Sequence, residues 1–457
     1  MIGRSRRREG LDMGATTEGE LRRQIGLKHA TALVVGTIIG ASIFVQPSEI
    51  TGQMPSIAGV LLVWLTSGIL TLFGALACAE LASIFTRTGG VYVYLTETYS
   101  PAVGFLWGWA MFWSMHSGII AALSVIVARY LSYLIPLDDA ESNAVAVSVI
   151  LVLSAINVIG VKEGSRIQAL FTLGKVVAIV FIILAGFLLG SRLPEHFAAG
   201  TGTAGPVSAR NFFEALMAGL FAFGGWHMVT YTSEESIDPR SNIPKALVAG
   251  VLVVTACYVA LNAVYLYILP LSTVASSTRV AADAANALLG FGGGAFMAVL
   301  VVFSTVGALS GIILAGPRVY YSMARDGLLF GWAGRVHRRF RTPHNAILLQ
   351  AVWSSILVLT GSYRVLFMRV VYTEWIFFGL MAWGLFILRR RKIEPGYRMW
   401  GYPWTPIVFV ASSFAVAASQ IIAEPAESAF GLTLVLAGLP VYYLWSRRIR
   451  TREATCE

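Results

Sequence analysis

The sequence predicts an all-α polytopic membrane protein with twelve transmembrane helices, two of them broken. The first observation is composition: the 457 residues are 56% hydrophobic and 13% charged, whereas soluble globular proteins carry about 25% charged residues. The second is that the apolar residues form long runs, and a run of about 20 apolar residues spans the hydrocarbon core of a bilayer. The third is that two of these runs carry glycines at their centres, at residues 36–40 and 219–225.

Twelve apolar runs account for most of the chain, and no stretch remains for a second soluble domain. The helices are therefore expected to form one unit. We place the spans at residues 27–51, 57–83, 101–131, 144–160, 166–190, 210–236, 244–270, 291–321, 344–361, 366–388, 404–422 and 430–446.

The 34 lysines and arginines give the chain a net charge of +10. If both termini are cytoplasmic, 27 of these residues fall in cytoplasmic segments, which is the bias of the positive-inside rule. This distribution favours membrane topology and contact with anionic lipid over nucleic-acid binding. It predicts a multi-pass protein of the plasma (inner) membrane with both termini cytoplasmic and no nucleic-acid partner.

The termini and the cysteines indicate little further organisation. Three cysteines are too few for a disulfide framework. The first apolar run is too long for the core of a cleavable signal peptide, and no small-residue cleavage site follows it. We expect residues 1–26 to be a disordered, basic cytoplasmic N-terminus and residues 447–457 to be a cytoplasmic tail.

The glycine-rich centres of the first and sixth spans predict helix breaks. Glycine weakens a helix by about 1 kcal/mol relative to alanine, and unwound backbone at membrane depth is tolerated only where it is buried in protein or lines a cavity. Ordinary close packing of helices also uses glycine, and it remains the alternative for either span alone. The two spans together, at matching places in two sets of five helices, favour an inverted repeat with a binding site at its interface. The repeats are predicted at residues 27–190 and 210–388, with two further helices at 404–446.

A broken helix offers free N–H groups where it resumes and free carbonyl groups where it stops. The N–H end favours a carboxylate, and the carbonyl end favours an ammonium group. A zwitterionic α-amino acid needs both. We predict that the N–H groups of Gly40, Ala41 and Ser42 bind the carboxylate, and that carbonyls of Ile38 and Ile39 bind the ammonium group together with Phe221 and Gly224. The other predicted substrate-binding residues of the second break are Ala222, Phe223 and Trp226. Phe221 is interpreted as a lid over the substrate or as ordinary core packing.

Several short stretches carry a resemblance to a known family. They are Gly36-Thr37-Ile38-Ile39-Gly40-Ala41-Ser42-Ile43-Phe44, Ala79-Glu80-Leu81 with Thr88-Gly89-Gly90, Asn157-Val158-Ile159-Gly160-Val161-Lys162, Phe171-Thr172-Leu173-Gly174-Lys175, Phe221 to Trp226, Glu234-Glu235, and Asn242-Ile243-Pro244-Lys245-Ala246. With them the chain resembles the amino acid–polyamine–organocation (APC) transporter superfamily, and within it the L-type amino-acid transporters.

The resemblance implies a five-plus-five inverted-repeat (LeuT-like) fold, transport by alternating access, and neutral amino acids as substrates. Two departures from the family pattern matter. Ser42 stands where the family has glycine, which puts substrate size in doubt. The external loop at residues 132–143 lacks the cysteine through which some members bind a heavy-chain subunit, so no disulfide-linked partner is expected.

Ionisable residues inside a membrane are costly and are functional candidates. Lys175 either reaches a membrane surface with its ammonium group or, as the resemblance implies, occupies the place of a bound cation, which predicts sodium-independent transport. His227 is either a proton-sensing group or a neutral, hydrogen-bonded histidine. Glu234 and Glu235 are interpreted as gate or loop salt-bridge partners.

The remaining acidic residues point away from the site. Glu214 and Glu374 are expected near the external interface. The predicted pocket therefore contains no carboxylate, which disfavours cationic substrates.

Together these features predict a sodium-independent secondary transporter of amino acids, an exchanger or uniporter, and not an enzyme. A proton-coupled symporter and a membrane sensor that binds an amino acid without transport remain alternatives. No phosphate-binding loop and no metal-ligand motif occur in the sequence, so no cofactor is expected. The amino acid itself and the lipid bilayer are the expected partners.

Overall fold

The computed structural model describes residues 21–190, 208–277, 279–290, 292–361 and 371–454, without the side chains of 289 and 447–454. Most of the predicted disordered N-terminus and the end of the predicted tail lie outside these residues. In the described ranges the regular structure is helical, apart from one isolated parallel bridge between Ile25 and Ser236.

The helices follow the predicted spans to within a few residues at most ends. They are α1 Leu27–Ile38, α2 Ser42–Gln53, α3 Ile57–Ile84, α4 Val91–Thr98, α5 Pro101–Leu131, α6 Asp139–Ile159, α7 Val161–Leu189, α8 Ala209–Ala222, α9 Pro239–Ile268, α10 Leu271–Ser276, α11 Val280–Leu289, α12 Gly293–Ala315, α13 Pro317–Arg325, α14 His344–Leu359, α15 Tyr372–Arg390, α16 Trp404–Ala423, α17 Pro425–Leu436 and α18 Gly438–Ala454. A 3₁₀ segment, Trp226–Glu235, lies between α8 and α9. A π-helical turn, Met111–Met115, lies within α5.

Within the described residues, nine helical runs are long and apolar enough to cross a membrane, or ten if the bent pair α1 and α2 is one span. Two more helices, α14 and α15, lie where the sequence predicts the ninth and tenth spans. Helix α14 is short for a membrane crossing, and the predicted start of the tenth span, at residue 366, lies outside the described part of the chain.

Helix α7 shows why the fold needs lipid around it. One side of this helix is almost entirely apolar and exposed: Leu170, Leu173, Val177, Phe181, Leu184 and Leu188 have exposed fractions between 55% and 80%. A continuous exposed apolar stripe of this kind is unfavourable in water. It is stable against hydrocarbon, because every backbone polar group is satisfied inside the helix.

The first span is interrupted at Ile39. Helix α1 ends at Ile38, Ile39 adopts an extended conformation (φ −73°, ψ 92°), and α2 begins at Ser42 with its axis bent by 46° from that of α1. The two glycines at 36 and 40 lower the helix propensity of this turn. The predicted break is therefore present, and it is centred on Ile39, Gly40 and Ala41.

The second interruption depends on Gly225. Helix α8 ends at Ala222, and Gly225 has φ +95°, a left-handed conformation that glycine adopts without strain. The chain resumes as the 3₁₀ segment and not as a regular α-helix. A Cβ atom at position 225 would lie 3.0 Å from the carbonyl oxygen of Thr37, so glycine also permits the close approach of the two broken spans.

The two broken spans run beside each other in opposite directions. Helix α1 packs against the 3₁₀ segment, and α2 packs against α8. Helices α9, α7 and α12 surround α1, and α9 in turn packs along most of α3. The two breaks therefore face each other in the protein interior, and the surrounding helices keep lipid away from them.

Candidate functional site

Two side chains join the breaks directly. The hydroxyl of Thr37 donates a hydrogen bond to the carbonyl oxygen of Gly225 at 3.1 Å. The hydroxyl of Tyr258, on α9, lies 3.1 Å from the carbonyl oxygens of both Ile38 and Ala222. Each carbonyl belongs to the end of a helix that stops at its break, so Tyr258 links the carbonyl ends of the two interruptions.

The N–H groups at the first break are free, as the sequence predicts. The N–H groups of Gly40, Ala41 and Ser42 have no hydrogen-bond acceptor within the described residues. They stand at the N-terminus of α2, where the helix dipole adds partial positive charge. Ser304 of α12 approaches from the other side, with its hydroxyl 3.4 Å from the carbonyl oxygen of Gly40. The arrangement fits a carboxylate at this helix end.

The carbonyl oxygens of Ile38 and Ile39 are already hydrogen-bonded, so the prediction that they bind the substrate ammonium group needs revision. Tyr258 donates to the first and Lys175 to the second. At the second break the carbonyl of Phe221 accepts a bond from the N–H of Gly224 at 3.0 Å. Within the described residues, the carbonyl of Gly224 has no donor and is the best-placed acceptor for an ammonium group.

Lys175 is completely buried, and its ammonium group binds backbone instead of reaching a membrane surface. Its Nζ donates to the carbonyl oxygens of Gly36 at 3.0 Å, Ile39 at 2.5 Å and Ser304 at 3.0 Å. All three ammonium protons are thereby used. The snorkelling interpretation is wrong, because the side chain runs inward between α1 and α12.

A cavity of about 50 Å³ lies beside the second break. Gly224, Gly225, Phe221 and Trp226 line it from the broken span. The π-helical turn of α5 contributes Met111 and Met115, and α15 contributes Glu374, Trp375 and Phe378. A π turn in a membrane helix often marks a functional site, and here it presents two flexible thioether side chains to the cavity.

The predicted residues of the second break separate into two groups. Phe221 is 37% exposed and lines the cavity, a position that suits a lid. Phe223 is fully buried and packs against Tyr258 at 5.0 Å between ring centroids. Ala222 is buried, and its carbonyl binds Tyr258. The residues of the first break, from Ile38 to Ser42, do not line this cavity.

Glu374 lies beside the cavity and not at a membrane interface, which corrects the expectation from sequence. Its carboxylate oxygen lies 3.8 Å from Nε2 of His227, too far for a hydrogen bond. His227 is fully buried among Trp107, Trp226, Tyr231 and Phe378. Neither ring nitrogen of His227 has a hydrogen-bond partner in the part of the chain that the structure describes. The expected hydrogen-bonded histidine is therefore absent there, and so is the predicted lack of a carboxylate.

Glu234 and Glu235 form ion pairs with α13. Glu235 and Arg318 are both fully buried and form a bidentate pair, with two N–O distances of 2.8 Å. Glu234 pairs with the more exposed Arg325 at 2.9 Å. Glu80 forms a third pair, with Arg389 at 2.7 Å. We call this end of the bundle the salt-bridged end; whether these pairs act as a gate stays a prediction.

The salt-bridged end also ties three further segments together. Backbone N–H groups of Gln24 and Ile25 donate to the carbonyl of Glu235 at 2.8 and 2.9 Å, which fixes the chain before α1 to the end of the 3₁₀ segment. Asp326 accepts hydrogen bonds from Arg87 and from the hydroxyl of Tyr92. Burial, and then the nearby Asp326 charge, raise the pKa of the Tyr92 hydroxyl well above its usual value, so it remains a donor.

The comparisons with known proteins follow this geometry. Residues 25–442 match the family described as amino acid permease. The chain belongs to the amino acid permease family. It is 34% identical to the serine/threonine exchanger SteT of Bacillus subtilis, over 95% of this chain and 99% of that protein. It is 29% identical to the b(0,+)-type amino acid transporter 1 of Mus musculus, over 97% and 94% of the two chains.

A further relative is the Asc-type amino acid transporter 1 of Mus musculus, which is 29% identical over 93% of this chain and 81% of that protein. Members of this permease family are transporters and not enzymes. The multi-pass character predicted from the apolar helices, the resemblance to amino-acid transporters and the absence of an enzymatic activity among its relatives therefore agree.

Bulky side chains at the breaks are expected to abolish substrate binding while the protein still folds. A Cβ atom at Gly40 would make an ordinary contact with Ala308 at 3.5 Å, and one at Gly224 would lie 3.2 Å from the carbonyl of Phe221. Leucine at either position would therefore fill space beside the free backbone groups. We expect at least a ~10-fold loss of amino acid binding, because each blocked charge-assisted hydrogen bond contributes about 1.5–3 kcal/mol.

The measurement is ligand binding to purified Gly40→Leu and Gly224→Leu by calorimetry, with elution profile as the test of folding. Gly52→Leu is the matched control, since a Cβ atom at this exposed glycine of α2 meets nothing within 4 Å. Full binding in both site variants would contradict the assignment of the breaks.

Proposed function

We propose that the protein is a sodium-independent exchanger of neutral amino acids that works by alternating access. The observation that carries the proposal is the meeting of the two breaks, bridged by Tyr258 and Thr37, with free N–H groups on one side and a free carbonyl on the other. A zwitterion requires both kinds of partner in one buried place. In this arrangement the protein needs no charged side chain to bind the two charges of the amino acid backbone.

The proposed architecture has twelve transmembrane helices, with a five-plus-five inverted repeat (LeuT-like) at residues 27–190 and 210–388. The antiparallel course of the two broken spans supports it, because an inverted repeat places its equivalent helices in opposite directions. We further propose a plasma (inner) membrane location with both termini cytoplasmic, so that the salt-bridged end faces the cytoplasm. Support for this orientation comes from the distribution of lysine and arginine.

Exchange and the substrate class are supported by the relatives. One is named as a serine/threonine exchanger, and the others are named as amino acid transporters. Neutral amino acids fit a cavity whose walls are mainly methionine and aromatic side chains. The external loop at 132–143 carries no cysteine, and we propose that the chain works without a disulfide-linked heavy-chain subunit.

Independence from sodium follows from Lys175. Its ammonium group holds three backbone carbonyls between the first broken span and α12. Carbonyl oxygens in such a cluster are the ligands that a sodium ion would need, and a fixed ammonium group satisfies them permanently. A sodium ion would then meet a positive charge where it needs negative partial charge.

Proton-coupled transport is the second candidate, and one observation favours it. Glu374 and His227 lie 3.8 Å apart beside the cavity, and both side chains have a polar atom without a hydrogen-bond partner among the described residues. A pair of this kind can bind a proton in one state and release it in another. A sensor that binds an amino acid without transporting it is the third candidate.

Uptake of a panel of radiolabelled amino acids into proteoliposomes tests the proposal. The expected result is rapid uptake of neutral amino acids when the lumen is preloaded with the same amino acid, and little uptake when the lumen is empty. Equal uptake into empty vesicles would indicate uniport, and uptake that requires an inward proton gradient would indicate symport. Binding without uptake under any condition would make the protein a sensor.

A further inference from the structure

The cavity at the second break has a polar end that the recognition of the amino acid backbone does not use. Among its described lining residues, Glu374 and His116 are the two ionisable ones. His116 is 1% exposed, and neither of its ring nitrogens has a partner within the described residues. The Glu374 side chain is 20% exposed, and the structure shows no hydrogen bond to its carboxylate in the described ranges. Buried polar groups are nearly always paired, so these groups indicate a ligand.

The other walls of the cavity restrict that ligand. Met111, Met115, Ile119, Phe221, Trp226 and Phe378 enclose it with apolar surface. Its volume of about 50 Å³ is close to the space of one or two water molecules, which take about 30 Å³ each in the liquid. A short side chain fits this space, whereas the long aliphatic stem of a basic side chain does not.

A hydroxyl group matches the polar end in both size and hydrogen bonding. It donates one hydrogen bond, which the carboxylate of Glu374 accepts, and it has lone pairs for an N–H of His116. An apolar side chain of the same shape would leave both protein groups unpaired, and an unpaired buried polar group costs more than the hydrogen bond itself contributes. His227 lies behind the carboxylate, 3.8 Å away, and restricts its movement as a positioning residue.

We propose that Glu374 and His116 form a side-chain subsite that selects amino acids whose short side chain carries a hydroxyl group. The proposal rests on the proposed transport function and adds its substrate preference. Glu374, on α15, and His116, on α5, approach from helices that do not contribute to the breaks. The subsite therefore distinguishes amino acids after the breaks have bound the part that all of them share.

Threonine and valine test this subsite most sharply, because they differ only by a hydroxyl in place of a methyl group. The experiment measures exchange of each amino acid by the full-length protein in proteoliposomes, as the ratio of kcat/KM for threonine to that for valine. The wild-type ratio is expected to be at least ~10, since a site that hydrogen-bonds a hydroxyl discriminates strongly against its apolar isostere. A wild-type ratio near one would overturn the subsite while leaving the transport function intact.

Two variants assign the preference to its residues. Glu374→Gln and His116→Phe are each expected to lower the ratio by ~5-fold or more, and His227→Phe is expected to lower it less, chiefly through KM. Glu214→Gln is the control, because Glu214 lies on α8 and pairs with Arg210 at 2.7 Å, outside the cavity. An unchanged ratio in both cavity variants would overturn the assignment to Glu374 and His116.

The same assay separates the remaining outcomes. A preference of wild type for lysine or arginine that Glu374→Gln removes would overturn the hydroxyl assignment, because the carboxylate would then bind a cation. Failure of wild type to take up any amino acid would reject the proposed function as well as the subsite. If a variant does not fold, the wild-type ratio of threonine to valine still decides whether the hydroxyl is recognised.

Discussion

Replacement of Lys175 by alanine is expected to reduce amino acid exchange by at least ~100-fold. The substitution removes three charge-assisted hydrogen bonds to carbonyls of Gly36, Ile39 and Ser304, and bonds of this kind contribute about 1.5–3 kcal/mol each. The three carbonyls would then be buried without donors. Since two of them belong to the first broken span, the break would lose the geometry that presents the N–H groups of Gly40 and Ala41.

The control for this prediction is Lys162→Ala on the same helix, because Lys162 is exposed at the start of α7. It should retain wild-type exchange. Exchange would be measured in proteoliposomes with matched protein content, and binding with the detergent-solubilised protein. Retention of exchange by Lys175→Ala at more than half the wild-type rate would show that the ammonium group is dispensable.

Removal of either partner of the buried pair between Glu235 and Arg318 is expected to cause the largest loss of stability. Both side chains are fully buried, and the pair has bidentate geometry. Substitution of one partner leaves an uncompensated buried charge, which costs about 3–5 kcal/mol. Arg318→Ala and Glu235→Ala should therefore lower the apparent unfolding temperature in detergent markedly, as followed by intrinsic tryptophan fluorescence.

The neighbouring pair of Glu234 and Arg325 provides the matched control. Its side chains are 26% and 47% exposed, and exposed pairs contribute about 0–1 kcal/mol. Arg325→Ala should therefore change the unfolding temperature little. A double variant, Glu235→Met with Arg318→Met, should recover part of the loss, because neither charge then remains buried. Equal effects of Arg318→Ala and Arg325→Ala would refute the distinction.

The helices and the two breaks could be predicted from sequence because their signals are local. Apolar runs set the helix positions, and the glycines at 36, 40, 224 and 225 marked the interruptions to within a few residues. The orphaned N–H groups of Gly40, Ala41 and Ser42 follow from the helix start itself. The placement of Phe221 at the cavity could be expected for the same reason, since it directly precedes the break.

Contacts between distant segments could not be read in the same way. Tyr258 lies one helix beyond the second break, and nothing in its local sequence indicates that its hydroxyl bridges Ile38 and Ala222. Glu374 follows residues that resemble a membrane boundary, so it was placed at the interface, whereas packing of α15 brings it to the cavity. Arg318 lies just after Pro317 and had no obvious acidic partner nearby in sequence.

The carbonyls of the first break show how tertiary contacts change a local prediction. Helix ends leave carbonyl groups free in isolation, and the sequence offered those of Ile38 and Ile39 to the substrate. In the fold, Tyr258 and Lys175 reach them first. The acceptor for the substrate ammonium group consequently moves to the second break, at Gly224.

The central claim is that exchange at the crossing of the two broken spans needs no sodium, because Lys175 occupies the place that a cation would take. The most direct test is the initial rate of exchange by wild-type protein in preloaded proteoliposomes, measured in sodium chloride and in choline chloride at the same pH. The account predicts equal rates and equal apparent affinities in the two salts. A rate or affinity that rises with sodium concentration would contradict it.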